Sequence, residues 1–284
     1  MQKDDLKTIK EKSKLSKEEW KEYTKTVWSI ANVSHPNHPA VFPEEIPLRL
    51  IKMFSFVDEI VLDPFGGTGT TASVALSLKR NAISIDQNPE YVAIAKNLCE
   101  TKSDNGVNAQ IKEGDAQDLS HIKKDSISLI VTSPPYWDKA EYGGNGTNIG
   151  QRASYASFLR NMKTVFEECY RVLQPGRKIC IVTANVNQHT DHGLLSFPIS
   201  SDFCVLLREI GFVMINEIIW SKDKTGGKWG SANGQRPIFG SYPYPPNFLF
   251  KNVHEYILIF SKPDNKKRAG ATIRNYREIM ELSA

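Results

Sequence analysis

"EIVLDPFGGTGTTASVALSLKRNAISID", residues 59–86, decides the fold of this 284-residue chain. An apolar run ending at Asp63 leads into a glycine-rich turn, a helical pattern follows, and a second apolar run ends at Asp86. A strand, a turn, a helix and another strand in this order form a βαβ unit, whose two strands lie parallel. The alternation continues to about residue 262. We therefore expect an α/β fold in which a mostly parallel sheet carries helices on both faces.

Outside this alternation, the chain begins with two segments of different character. Residues 1–14 are charged and aperiodic, which predicts a frayed tail. Ser16 and Glu19 form a capping-box pattern, and aromatic residues at helical spacing then predict one amphipathic helix that continues through Trp28. Further along, three segments rich in glycine or proline interrupt the alternation and are predicted to be functional loops: 138–152, 186–200 and 221–247.

Composition sets limits on the class of protein. Hydrophobic residues make up 40% and charged residues 24%, which is typical of a soluble globular chain. The four cysteines lie far apart, so we expect reduced thiols and neither disulfides nor a metal site. The absence of a long apolar run and of a signal peptide predicts a cytoplasmic protein without a membrane partner. The net charge of +4 permits a polyanionic partner without indicating one.

The glycine-rich turn predicts a ligand site. Gly67, Gly69 and Ala72 match the pattern G-x-G-x-x-[GA] between a strand and a helix, where free backbone N–H groups face a ligand. The P-loop sequence GK[ST] does not follow, so a P-loop is excluded.

Three acidic residues follow three successive strands of the predicted sheet. Because the carboxyl ends of parallel strands share one crevice, we expect Asp63, Asp86 and Asp115 to lie close together. Asp63 is suited to an ammonium group, Asp86 to ribose hydroxyls and Asp115 to an adenine amino group. A ligand with an adenosine part and a cationic amino-acid part matches S-adenosylmethionine better than NAD. Each acid taken singly can also be a helix cap.

The stretch "VTSPPYW", residues 131–137, ends the next predicted strand at the same crevice. Its prolines fix φ and lack N–H groups, so Ser133 and the carbonyl of Pro134 present two acceptors. Two acceptors can orient an exocyclic amino group, while Tyr136 or Trp137 offers a flat face to a base. The alternative is a structural proline corner under an aromatic lid.

"DPFGGTGTT" and "TSPPYW" resemble motifs I and IV of the DNA amino-methyltransferases, which modify N4 of cytosine or N6 of adenine. "HPAVFP" resembles the stretch before motif I that lines the methionine end of the donor. The resemblance covers about residues 20–263 and implies a Rossmann-like class I methyltransferase fold with a seven-stranded sheet. It implies these donor contacts: Ala40, Phe42, Asp63, Pro64, Phe65, Gly66, Gly67, Thr68, Gly69, Thr70, Asp86, Asp115, Ala116 and Ser133. It implies catalytic roles for Ser133, Pro134, Pro135 and Tyr136.

The resemblance also implies a target base. Serine at the first position of motif IV goes mostly with cytosine N4, so Ser133 indicates methylation of cytosine N4 in a specific DNA sequence, as in restriction-modification systems. The order with donor motifs first is commoner among adenine enzymes, which leaves adenine N6 as the alternative. Other readings are an RNA or protein amino-methyltransferase, a non-catalytic adenosine-ligand sensor or DNA-binding partner subunit, and an NAD oxidoreductase.

A DNA substrate implies a flipped target base and surfaces that contact the duplex. Cations interleaved with aromatic residues suit phosphates and splayed bases, and the predicted DNA contacts are Trp137, Lys222, Lys224, Lys228, Trp229 and Arg236. A cognate restriction endonuclease is an expected partner of the system without a stable complex. The predicted organisation is an N-terminal helical extension with a donor-lining segment (1–55), a catalytic domain (56–263) and a C-terminal tail (264–284).

Overall fold

The computed structural model describes residues 3–31, 42–102, 106–137, 149, 154–222, 241, 243–246, 248, 250 and 252–264. The helices within these ranges are α1 (Lys3–Lys12), α2 (Lys17–Tyr23), α3 (Glu45–Phe54), α4 (Thr70–Ser77), α5 (Pro89–Glu100), α6 (Tyr155–Val172) and α7 (Ile199–Ile210). The strands are β1 (Val27–Ser29), β2 (Ile60–Asp63), β3 (Asn81–Asp86), β4 (Ala109–Glu113), β5 (Ile127–Thr132), β6 (Leu173–Thr183), β7 (Val186–Thr190), β8 (Gly193–Phe197), β9 (Val213–Ser221) and β10 (His254–Ser261).

Among the described residues, eight strands form one sheet in the order β1-β9-β10-β6-β5-β2-β3-β4. All neighbours are parallel except at β10, which runs antiparallel to β9 and to β6. The predicted Rossmann-like class I methyltransferase fold is confirmed. The sheet has one strand more than the seven predicted, and this additional strand is β1 at the edge.

Helices cover the sheet on both faces, as the alternating side chains of β5 show. Leu129 and Val131 contact the cluster that contains Leu50 of α3, whereas Ile130 contacts the opposite cluster with Phe158 of α6 and Phe203 of α7. Every residue of β5 is buried. Because both faces are covered, the strand is a nearly continuous apolar run, interrupted by Ser128, in the sequence.

The N-terminal aromatic segment departs from the prediction of one long helix. The helix ends at Tyr23, and Trp28 lies in strand β1 opposite Trp220 of β9. Trp28 is only 1% exposed, whereas Trp20 on the helix is 57% exposed. Pairing with β9 satisfies the backbone of β1 and buries Trp28. Since β9 lies almost 200 positions later in the chain, the local spacing of residues could not indicate that Trp28 belongs to a strand.

The first residues also differ from the predicted frayed tail, because α1 covers most of them. The hydroxyl of Ser13, just after α1, accepts a hydrogen bond of 2.9 Å from the backbone N–H of Val57. The capping box at Ser16 and Glu19 is confirmed, since each side chain accepts a hydrogen bond from the other residue's backbone N–H. The tail is therefore tied to the turn that precedes β2.

Residues 186–200 were predicted to be a loop, and the structure shows an antiparallel hairpin of β7 and β8 instead. The ring of Phe197 packs edge-on against Trp137 with 4.5 Å between centroids. This contact places the base of the hairpin beside the residues that follow β5. Of the other two predicted loops, 138–152 and 221–247, most residues lie outside the described ranges.

The described residues also show the state of the cysteines and the character of the helices. The cysteines are free thiols, three of them buried. None of the helices in the described ranges combines the length and apolar character that a membrane crossing requires.

Candidate active site

One pocket opens where β2, β3, β4 and β5 end. Its walls come from four consecutive loops of the sheet, so residues far apart in sequence share one surface. The lining residues are Phe42, Asp63, Pro64, Phe65, Gly66, Gly67, Thr68, Thr70, Thr71, Asp86, Gln87, Tyr91, Gly114, Asp115, Ala116, Ser133, Pro134, Pro135, Tyr136 and Ile149. The structure thus gathers most of the predicted donor contacts and the whole Ser133–Tyr136 segment around one cavity.

Two glycines of the loop after β2 are required by close packing. A Cβ on Gly66 would lie 1.8 Å from the hydroxyl oxygen of Ser84, and a Cβ on Gly69 would lie 2.8 Å from the Cβ of Ala95 in α5. Gly69 also has φ of 91°, in the left-handed region that disfavours other residues. Gly69 does not line the pocket, so its role is to seat α4 against α5 and thereby fix the loop.

Asp63 contributes a buried carboxylate to the lining of the pocket. It is 2% exposed, and its Oδ1 accepts hydrogen bonds from the Thr132 hydroxyl (2.7 Å) and from the Phe65 backbone N–H (3.1 Å). Burial raises the pKa of Asp63 from 3.8 to about 6, although the bond from Thr132 acts in the opposite direction. A buried anion of this kind is costly alone and gains most from a cationic ligand.

The other two acids occupy different surroundings. Asp86 accepts hydrogen bonds from the backbone N–H of Gly67 (2.8 Å) and of Asn88 (2.9 Å), one at each oxygen. Burial raises its pKa. Asp115 is exposed, and its carboxylate accepts from the backbone N–H of Gln117 at 2.9 Å. Each oxygen of Asp86 can accept a further hydrogen bond, so the residue can shape the glycine loop and still bind hydroxyl groups.

The residues after β5 form another wall of the pocket, next to the loop that follows β2. Ser133 and Pro135 are partly exposed, while Pro134 and Tyr136 are buried. The hydroxyl of Tyr136 donates a hydrogen bond of 2.9 Å to Oε2 of Glu255. The hydroxyl of Thr132, the residue before Ser133, donates to Asp63, so this bond joins the two walls directly.

Several predicted contacts have a different outcome. Ala40, Lys224, Lys228, Trp229 and Arg236 lie outside the described residues. The assignment of Lys222 to phosphate contact is wrong in this structure, because its side chain is buried and its ammonium group pairs with Glu255. Nothing in the local sequence indicates this carboxylate partner, which lies 33 positions away.

Trp137, predicted to contact DNA, does not line the pocket. It is partly exposed and packs against the ring of Tyr155, 5.2 Å away between centroids, as well as against Phe197. Five lining residues were missed by the sequence interpretation: Thr71, Gln87, Tyr91, Gly114 and Ile149. Gln87 and Gly114 directly adjoin two of the predicted acids, and this adjacency is the signal that could have found them.

Comparison with known proteins assigns the family. A family model described as DNA methylase matches residues 1–97 and 127–281. The chain belongs to this DNA methylase family. The match includes the glycine loop, Asp86 and the Ser133–Tyr136 segment, whereas Gly114, Asp115 and Ala116 of the pocket lie between its two parts. A second family model, described as Conserved hypothetical protein 95, matches residues 50–152.

Individual relatives match the chain in part. The chain is 40% identical over 129 residues to Type II methyltransferase M.BglI of Bacillus subtilis, a match covering 44% of this chain and 37% of the relative. It is 47% identical over 79 residues to Type II methyltransferase M.MjaI of Methanocaldococcus jannaschii, covering 26% of each. These matches span less than half of either relative's length.

Among solved structures, the chain resembles TTHA0409, a putative DNA modification methylase from Thermus thermophilus complexed with S-adenosyl-L-methionine. The identity is 31%, the TM-score is 0.40, and the match covers 58% of this chain and 59% of that one.

Proposed function

We propose that this chain transfers a methyl group from S-adenosylmethionine to the exocyclic N4 amino group of cytosine in a specific DNA sequence, as part of a restriction-modification system. The observation that carries the proposal is that the glycine loop, the three acids and the Ser133–Tyr136 segment line a single pocket. A donor and a target base bound there would lie side by side.

The residues of the pocket fit this donor. S-adenosylmethionine supplies an electrophilic methyl group when it is bound. Asp63, a buried carboxylate with a raised pKa, suits the ammonium group of the donor's methionine part. Asp86 has lone pairs free for ribose hydroxyls, and the exposed Asp115 can accept from the adenine amino group. The apolar ring of Phe42 lines the same pocket.

The Ser133–Tyr136 segment would orient the target amino group. The hydroxyl of Ser133 and the carbonyl of Pro134 accept hydrogen bonds from its two N–H groups and favour a pyramidal nitrogen. Held in this way, the nitrogen lone pair would face the methyl group that the donor supplies, and the proton lost from the methylated nitrogen would pass to solvent water. This catalysis rests on positioning, which removes much of the entropic barrier of a bimolecular reaction.

Access to the pocket requires that the target base leave the duplex. The base of the β7–β8 hairpin packs on Trp137, the residue after Tyr136, and this neighbourhood supports a proposed contact between the hairpin and the DNA around a flipped base. Lys224, Lys228, Trp229 and Arg236 remain proposed DNA contacts on sequence grounds. A cognate endonuclease would share the recognition sequence without forming a stable complex.

Adenine N6 is the second candidate. The observation that favours it is the order of the chain, in which the donor loop precedes Ser133 and its neighbours. An adenine amino group would need the same two acceptors, so the pocket chemistry is shared.

The test is single-turnover transfer from methyl-labelled donor to mixed-sequence DNA, followed by analysis of the nucleosides. We expect N4-methylcytosine. N6-methyladenine would overturn the base assignment, and label found only in an RNA control would overturn the DNA substrate.

Ser133→Ala should lower kcat and leave donor affinity intact, because the hydroxyl matters chiefly in the transition state. Ser120→Ala, at an exposed serine outside the pocket, is the matched control. Full activity of Ser133→Ala would refute the orienting role.

A further inference from the structure

A buried network joins the pocket tyrosine to two charged residues that the mechanism above does not use. Tyr136 donates a hydrogen bond of 2.9 Å to one oxygen of Glu255, and the ammonium group of Lys222 pairs with the other oxygen. Tyr136 and Glu255 are each 8% exposed and Lys222 is 3% exposed. Tyr136 lies in the segment after β5, Glu255 lies in β10, and Lys222 directly follows β9.

Stability alone does not account for this network. The cost of removing two charges from water commonly cancels their attraction, and a buried ion pair can often be replaced by apolar residues without loss of stability. The ion pair also provides a charged acceptor, the carboxylate of Glu255, for the hydroxyl group of Tyr136. A hydrogen bond to a carboxylate is stronger than one to a neutral acceptor.

We propose that Glu255 and Lys222 are positioning residues that hold the ring of Tyr136 in the orientation on which the target base stacks. The inference rests on the proposed function. Pro134 and Pro135 fix the backbone φ angles before the ring, so the remaining freedom lies in the side-chain torsions of Tyr136. The bond to Glu255 removes that freedom at the other end of the side chain.

Lys222 in turn holds the carboxylate of Glu255 in place. Its ammonium group lies 4.1 Å from the ring centroid of Trp220, and its backbone N–H donates to the carbonyl of Val253 at 2.8 Å. Glu255 itself pairs with Trp220 in the β9–β10 ladder. We call the Tyr136–Glu255–Lys222 network the brace. Glu255 and Lys222 anchor it in the large sheet, and Tyr136 is its member that lines the pocket.

The test compares two double variants that both remove the buried charges. K222M/E255Q keeps an oxygen acceptor toward Tyr136, and K222M/E255M removes it. We expect K222M/E255M to lower kcat for DNA methylation about tenfold, the effect of one lost hydrogen bond. K222M/E255Q should lower kcat less, about threefold, because an acceptor remains but is neutral and no longer held by Lys222. Donor affinity measured by calorimetry should not change in either variant.

A cycle with Tyr136→Phe identifies the path of the effect. Tyr136→Phe alone should also lower kcat about tenfold, and adding it to K222M/E255M should cost nothing further, because both remove the same bond. A matched control exists in the Lys52–Glu19–Tyr23 group of the N-terminal region, where the Tyr23 hydroxyl likewise meets a carboxylate paired with lysine. Tyr23→Phe should leave kcat unchanged.

Four results would overturn the inference. Two concern kcat in the double variants: wild-type kcat in K222M/E255M, or a loss of kcat in K222M/E255Q as large as that in K222M/E255M. The others are a loss of kcat of about a hundredfold when Tyr136→Phe is added to K222M/E255M, or a loss of donor affinity in K222M/E255M as large as its loss of kcat. If circular dichroism shows that K222M/E255M does not fold, Tyr136→Phe decides by itself, and wild-type kcat there refutes the brace. If the wild type transfers no methyl group to DNA, the proposed function is wrong and the inference fails with it. Wild-type activity with any of the four results refutes the inference alone.

Discussion

Replacing Asp63 by Asn should stabilise the donor-free protein at neutral pH. Asp63 is fully enclosed, and burial raises its pKa from 3.8 to about 6. In the unfolded chain the carboxyl group ionises near its ordinary pKa, so folding at neutral pH buries a charge that water would otherwise solvate. Asn keeps an oxygen that can accept from Thr132 and Phe65 without carrying a charge.

The size of the effect follows from the two pKa values and depends on pH. Because the folded pKa is higher, the native state binds the proton more tightly, and stability falls as pH rises from about 4 to about 6. The gap between 3.8 and about 6 corresponds to about 3 kcal/mol at pH 7.5 and about 1.5 kcal/mol at pH 5. Asp63→Asn removes this loss of stability. The difference in unfolding free energy between the variant and the wild type should therefore double from pH 5 to pH 7.5.

Urea unfolding at pH 5, 6 and 7.5 without donor measures this difference. Asp191→Asn, at an exposed carboxylate in the β7–β8 hairpin, is the control for the loss of one surface charge. Donor binding should change in the opposite direction, since Asp63→Asn removes the partner of the ammonium group and should weaken affinity at pH 7.5. A difference in stability that does not vary with pH, or a variant less stable than the wild type at pH 7.5, would refute the reasoning.

Three further predictions concern the glycine loop and the DNA. Asp86→Ala should weaken S-adenosylmethionine binding by about 1–3 kcal/mol in calorimetry, because ribose hydroxyls and the Gly67 N–H lose an acceptor; unchanged affinity in a folded variant would exclude the ribose assignment. Gly69→Ala should lower the free energy of unfolding by about 1–3 kcal/mol more than Gly106→Ala does. Both glycines have positive φ, but only a Cβ on Gly69 would meet Ala95, so equal losses would contradict the packing role. Lys228→Ala should reduce the slope of log affinity for DNA against log salt by about one unit, and an unchanged slope would place the phosphates elsewhere.

The sequence by itself determined the features that are local. The alternation of apolar runs and helical patterns is set by neighbouring residues, so the parallel α/β fold followed from it, as did the placing of the acids at strand ends. The glycine loop and the Ser-Pro-Pro-Tyr corner could be interpreted for the same reason, because their backbone requirements arise within a few residues. The carboxyl ends of parallel strands meet at one edge of the sheet, which brought these segments together in the prediction before any contact was known.

Only the tertiary structure decided the features whose energy comes from distant partners. Trp28 lies in a strand because β9 offers an edge for pairing and a place to bury the ring, and this outweighs the helical spacing of its neighbours. Lys222 has the sequence surroundings of a solvated cation, yet it is buried because Glu255 neutralises it. Tyr136 and Glu255 are 119 positions apart, so their hydrogen bond exists only once the sheet has formed. Burial and charge pairing depend on which strands become neighbours, and that choice is made by the whole chain.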